Sequence, residues 1–304
     1  MKKFVTYTLS ILVLTIGLVY LSDFIYTEVY THFKPRNKLQ YILKTKNENF
    51  DIVFIGSSRV ANHIDTELFD SISNKKTINL GVEGAGLNDN LLQLKLLINS
   101  NHISNVFLQI DSNFESISPS NIAISEAMPF LKNKIIKNHI KKYFENFEKL
   151  EYIPFYRYAV NDPKIGFREF FFSIINKKPA TNPNAGFTPK FGNKIPKTES
   201  SLPKLIRKEN IILDEIIKIC KINKISLTLY TSPYCSKIKT EDYIKKLINK
   251  FPNLINLSKG YNDSSFYDCG HLNNQGAKIF TNNLYNETKD KIMINSRTHN
   301  TVYN

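Results

Sequence analysis

From the N-terminus, apolar positions first form one continuous block: Phe4 to Leu21 carries no charge and is interrupted only by Thr, Ser, Gly and Tyr. A helix needs roughly 20 apolar residues to cross a bilayer, so this run predicts one transmembrane helix within residues 1–23. Residues 24–48 mix polar and aromatic side chains and are expected as a helical juxtamembrane stalk. The period then changes. Asp51-Ile-Val-Phe-Ile-Gly56 is short, β-branched and closed by Gly-Ser, which is how a strand buried on both faces reads. Thr77–Val82, Asn105–Asp111 and Ser226–Thr231 repeat that pattern, and Leu254–Leu257 is a weaker fifth. Between them, apolar residues fall at helical spacing, as in Leu87–Ile98 and Ile206–Ile222. Strands alternating with helices predict an α/β protein: a flavodoxin-like three-layer αβα fold on a five-stranded parallel sheet.

The predicted domain covers residues 49–289, followed by a polar tail, 290–304. One insertion, 115–202, breaks the alternation with a basic amphipathic stretch (KNKIIKNHIKKYFENFEKL), an aromatic stretch (FREFFFSII) and a Pro/Asn/Gly loop from Pro179 to Pro203. Such a loop belongs at the surface, as a lid or an excursion. No internal repeat is present.

Composition and charge narrow the setting. With 304 residues, 42% of them hydrophobic, the chain is long enough for one sizeable core. The net charge of +14 comes mostly from dispersed Lys, with no Arg-rich run or nucleic-acid module, so membrane headgroups are the expected acidic neighbour and nucleic acid is not an expected partner. The stretch YLSDFIYTEVY after the apolar block offers no small-x-small cleavage site, which favours an uncleaved anchor over a signal peptide. Lys2 and Lys3 place the N-terminus in the cytoplasm and the domain outside it, although Lys34, Arg36 and Lys38 reduce the asymmetry. Cys220, Cys235 and Cys269 are too few for a disulfide framework or a tetrahedral zinc site. In an oxidising compartment Cys235 and Cys269, both expected at one edge of the sheet, have the opportunity to pair.

Ligands of open parallel sheets bind at the carboxyl ends of the strands, so candidate chemistry is sought in the residues just after each strand. The first strand delivers Gly56-Ser57-Ser58-Arg59, a tight strand-to-helix turn that can present a hydroxyl but is also common in plain turns. Asn79-Leu-Gly81-Val-Glu-Gly84-Ala-Gly86 brings bare backbone N–H groups to the same edge, able to hold an oxyanion or simply to turn the chain. The third strand ends in Asp111-Ser-Asn113-Phe114, and Asn113 can donate an amide N–H or serve only as a turn residue. Near the C-terminus, Asp268 precedes His271 by three residues on a loop leading into a helix. A carboxylate so placed can orient an imidazole and stabilise its charged form. No second His or Cys cluster has ligand spacing, so no metal and no cofactor is expected.

Taken in order, Gly-x-Ser after the first strand, Gly after the second, Asn after the third and Asp-x-x-His-Leu-x-x-x-Gly before the last helix resemble the SGNH/GDSL hydrolase superfamily. The resemblance covers 51–114 and about 224–285. It implies Ser58 as nucleophile, His271 as general base, Asp268 as its orienter, and an oxyanion hole from the N–H of Ser58 with Gly84 and Asn113; Gly81 can take the place of Gly84. Ser57 stands where the family often has Asp, Asp111 where it often has Gly, and Phe114 where it often has Asp.

A membrane anchor ahead of such a domain resembles proteins that edit or acylate cell-surface polysaccharides. The expected activity is therefore that of a serine esterase or O-acyltransferase acting on acyl esters of cell-envelope glycans, with an acyl-donating membrane protein as a possible partner. The alternatives are a lipid or small-ester hydrolase, which needs an apolar groove, and a non-catalytic protein holding an acidic glycan, in which the triad geometry is broken.

Overall fold

The computed structural model describes residues 1–179 and 186–300. Its centre is a parallel sheet of β1 (Asn49–Ile55), β2 (Thr77–Asn79), β3 (His102–Gln109), β4 (Ser226–Thr231) and β5 (Ile255–Asn256) in the order β2-β1-β3-β4-β5. This is the flavodoxin-like order, with the topological switch between β1 and β3. All five strands fall on predicted runs. The short β2 does not end the alignment, since Leu80 N–H donates to Phe54 O at 2.8 Å.

Alternation along β1 divides the interior. Val53 and Ile55 face one core, with α5 (Leu87–Ile98) and α6 (Ile211–Ile222). Ile52 and Phe54 face the other, with α3 (Ser58–His63), α4 (Thr66–Ser73) and the last helix. Helices on both faces follow from strands that are apolar on both sides. The helix read from Ile206 begins instead at Ile211, because the Asn210 side chain caps it, accepting from the N–H groups of Ile212 and Leu213 at 3.0 and 3.2 Å.

At the N-terminus, α1 (Lys2–His32) is one helix, long and apolar enough to cross a membrane, and its apolar side chains from Phe4 to Ile25 are exposed, except for half-buried Val19. Residues 24–48 do not stand clear of the domain as the expected stalk. Tyr26, Val29 and Tyr30 on the last turns of α1 are buried, as are Leu39 and Ile42 on α2 (Lys38–Lys44), because their apolar sides complete the first core. The insertion contributes to that core as well, through Met128, Ile136, Ile140, Leu150 and Tyr158. Its loop beyond Ile174 runs over the domain surface, with Thr188 N–H donating to Ala61 O at 2.8 Å; residues 180–185 of it lie outside the described residues. The segment 290–304, expected as a tail, continues the last helix, Asn274–Asn300, and only 301–304 lie outside the described residues.

Candidate active site

The carboxyl ends of β1, β2 and β3 converge on Ser58. Gly56 is required there by close approach: a Cβ would stand 2.4 Å from Val60 Cγ2 and 2.8 Å from Gln109 Cβ. The two serines after it have different fates. Ser57 caps α3, its Oγ accepting from Arg59 N–H at 3.2 Å, while its N–H and hydroxyl both donate to Gln109 Oε1, at 3.0 and 2.9 Å. Ser58, the first residue of α3, points its Oγ at His271 Nε2, 2.7 Å away.

His271 is held by a small antiparallel hairpin, β6 (Phe266–Asp268) and β7 (His271–Leu272). Asp268 Oδ1 accepts from the backbone N–H groups of Gly270 and His271 at 2.9 and 3.0 Å, and lies 2.8 Å from His271 Nδ1. One carboxylate thus shapes the turn and fixes the ring. With Nδ1–H donated to Asp268, Nε2 is left to accept from Ser58.

Two further groups brace this loop: His63, which was not identified from the sequence, and the Cys235–Cys269 bond, whose opportunity to form was. His63, fully buried at the end of α3, accepts Leu272 N–H on Nε2 at 3.0 Å. Burial, with smaller contributions from the charges of Arg59 and His271, pushes its pKa well below the ordinary histidine value, so the ring is neutral. A disulfide joins Cys269, inside the turn, to Cys235 just after β4, with Cα atoms 4.6 Å apart.

The expected oxyanion donors line the same cleft of about 420 Å³. Gly84 adopts φ +70°, which side-chain-bearing residues rarely take. Among the described residues, the N–H groups of Ser58 and Gly84 have no protein acceptor. Asn113 keeps one Nδ2 hydrogen, the other being given to Gln109 O at 3.1 Å while its Oδ1 accepts from Asp111 N–H at 2.9 Å. Gly81 serves packing instead, since its N–H donates to Asn79 Oδ1 at 3.0 Å and a Cβ there would stand 2.3 Å from the Ala61 nitrogen.

Behind Ser58, Arg59 is 5% exposed and forms an ion pair with Asp111, which also accepts from Gln109 Nε2. Its Nη2 donates to Pro233 O at 2.6 Å and its guanidinium lies 3.7 Å from the centroid of the Tyr234 ring. The planar fork therefore ties the strand ends of β1, β3 and β4 together. Asp111, where the resemblance led one to expect Gly, is the carboxylate this arginine needs.

Ser58 also borders a second cavity, of about 280 Å³, whose wall includes Lys38, Gly81, Glu126, Lys164 and Lys190. Lys38 is buried, its Nζ donating to Asn79 O and Gly186 O at 2.7 and 2.9 Å, and burial lowers its pKa to about 7. Burial raises the Glu126 carboxyl to about 8. In the sequence Arg59 stands out only by following Ser58 in the turn after β1, and Lys38, in the expected stalk, not at all. No known protein-family model matches this chain, and a comparison with curated proteins finds no relative.

Proposed function

We propose that this protein is a membrane-anchored SGNH-type serine esterase or O-acyltransferase acting through an acyl-Ser58 intermediate on ester-linked acyl groups of cell-envelope glycans. The observation that carries this reading is the relay from Ser58 Oγ to His271 Nε2 at 2.7 Å and from His271 Nδ1 to Asp268 Oδ1 at 2.8 Å. A binding protein that had abandoned chemistry has no need of that alignment.

In the acylation step Ser58 Oγ attacks the ester carbonyl as its proton passes to His271 Nε2, and Asp268 stabilises the imidazolium. The N–H groups of Ser58 and Gly84, with Asn113 Nδ2, receive the charge that develops on the carbonyl oxygen. His271 then returns the proton to the departing alcohol as the C–O bond breaks. Water or a sugar hydroxyl, deprotonated by the same nitrogen, attacks acyl-Ser58 and regenerates the serine.

Two features favour a glycan over a lipid and transfer over hydrolysis. The cleft is lined by Ser112, Ser116, Ser118 and Ser120, groups suited to hydroxyl-rich ligands. The insertion supplies three of those serines, and Lys164 and Lys190 of the second cavity, so it adds two walls beside the nucleophile on which an acceptor can be held. The lysines suit an acidic acceptor. In this reading the N-terminus is cytoplasmic, the domain faces the envelope, and a membrane partner supplies the acyl group.

The test incubates the purified full chain with an activated acyl ester, alone and with envelope oligosaccharides, following free acid and acylated sugar separately. Acylated Ser58 peptide and saturable diversion of acyl onto sugar are expected. Free acid released at an undiminished rate leaves an esterase. No acyl adduct and no turnover, with either acceptor, overturns the enzyme reading.

A further inference from the structure

The insertion helix Phe167–Ile174 is apolar on its outward face as well as where it meets the domain. Its inward face carries Glu169, Phe170 and Ser173, with Ser173 buried and Glu169 paired to Arg36. Its outward face carries Phe167, Phe171 and Ile174, exposed by 69%, 47% and 43%, and Ile175 just beyond is exposed by 52%. The spacing i, i+4, i+7, i+8 is that of an amphipathic helix whose apolar stripe is turned away from its own protein. The rings of Phe167 and Phe171 lie side by side, 6.3 Å between centroids, so the stripe is continuous. Water is a poor environment for such a face.

Its position says what covers it. Phe170 stacks on Tyr26 of α1, ring centroids 4.0 Å apart and 4° from parallel. Tyr26 is the first buried residue after the exposed apolar stretch of α1. From Phe4 to Leu21 the uncharged part of that stretch is 18 residues, about 27 Å at roughly 1.5 Å per residue, close to the hydrocarbon thickness of a bilayer. The span therefore ends before Asp23, Tyr26 sits less than one turn beyond that carboxylate at the headgroup boundary, and the helix stacked on it lies at that level. Aromatic side chains concentrate at this boundary.

The same junction is fastened by polar contacts on its protein side. Asp23 pairs with Arg157 Nη2 at 2.8 Å and accepts from Phe155 N–H at 2.8 Å, while Thr27 Oγ1 is 2.7 Å from the Tyr158 hydroxyl. Tyr152, Ile153, Tyr156 and Val160, neighbours of those contact residues, are exposed as well and widen the apolar surface. Arg168, Lys177 and Lys178 beside the stripe are exposed cations, placed to meet anionic headgroups.

We propose that Phe167–Ile174 is an in-plane interfacial helix, with Phe167, Phe171 and Ile174 immersed at the headgroup–acyl boundary of the bilayer that α1 crosses. The inference rests on α1 being the membrane anchor. Together the two contacts hold the domain against the bilayer at a defined tilt, where one helix alone would let it swing. Substrates carried on, or delivered from, the membrane surface would then meet Ser58 in a fixed orientation.

The chain contains no tryptophan, so Leu14→Trp, Phe171→Trp and Phe191→Trp each create a single reporter, in the span, on the stripe and on an exposed loop residue respectively. Each full-length variant is reconstituted into vesicles of mixed neutral and anionic phospholipid containing acyl-brominated lipid, and separately exposed to aqueous iodide. The expected result is loss of emission to brominated lipid for the Leu14→Trp and Phe171→Trp reporters, with the second blue-shifted but shallower, and quenching by iodide alone for Phe191→Trp. If the Leu14→Trp reporter is quenched by lipid and the Phe171→Trp reporter by iodide, the anchor stands and this proposal falls. Protection of the Phe171→Trp reporter from both quenchers makes the cover a protein and also overturns it. Loss of lipid quenching at Leu14→Trp, with failure to float with vesicles, removes the anchor reading itself.

Discussion

Opening the Cys235–Cys269 bond tests how far the acid–base loop depends on a tether. The two residues are 34 apart in sequence, and a cross-link closing a loop of that size restrains the unfolded chain by about 4 kcal/mol at 25 °C in the chain-entropy treatment. For a domain of this size each kcal/mol moves Tm by about 2–4 °C, so the Cys235→Ser/Cys269→Ser protein should melt about 8–16 °C lower. The effect on turnover has a separate origin. Cys269 stands between Asp268, whose Oδ1 takes three donors, and His271, so release of the tether loosens the imidazole. A displacement of about 1 Å at a catalytic group costs up to about 100-fold. The assay pairs thermal unfolding with kcat on an activated acyl ester, and with thiol titration in denaturant before and after reduction. One reactive thiol is expected before reduction, Cys220, whose burial raises its pKa to about 12 and keeps it inert in the native protein. Three thiols in the unreduced protein, or a double-serine variant that melts with the parent, would refute the reasoning.

Ser58→Ala should lower kcat by on the order of 10⁴-fold or more, whereas Ser57→Ala loses a helix cap, costs about 1 kcal/mol of stability and leaves turnover within about tenfold; the reverse pattern in acyl-ester kinetics would reassign the nucleophile. Asp268→Asn keeps an acceptor for Gly270 and His271 N–H but loses the charge, so kcat should fall by about 10²–10⁴-fold, toward the lower figure because the side chain is 36% exposed to screening water. Added to Ser58→Ala, it should cost nothing more. His63 is a base whose folded pKa is depressed, so its stabilisation is complete above the unfolded value near 6.5 and is lost as pH falls below it, with a slope of at most about 1.4 kcal/mol per pH unit. Tm of the parent should therefore drop more steeply from pH 6.5 to 4 than that of His63→Gln, which retains an acceptor for Leu272 N–H; parallel curves would show that His63 is not held neutral.

Local chemistry made the framework legible in the sequence. The five strands, the turn that presents Ser58 and the Asp268–His271 spacing depend on residue period and on backbone constraints within a few positions, and both survive without knowledge of the fold. The sheet order followed because parallel strands joined by helices have few ways to pack. The bracing of the site depended on distant partners. Arg59 meets Asp111 and the Pro233 carbonyl, the latter 174 residues away, and His63 meets Leu272 across 209. Nothing in the local pattern separates a buried, paired arginine from a solvated one. The choice of Gly84 over Gly81 as a cleft residue was decided by where α3 packs, since Ala61 fills the space at Gly81. Residues 24–48 looked like a stalk because they mix polar and aromatic side chains directly after the apolar span. Only the folded chain supplies the insertion surface against which Tyr26, Tyr30, Leu39 and Ile42 become core, and a residue is buried by what lies opposite it.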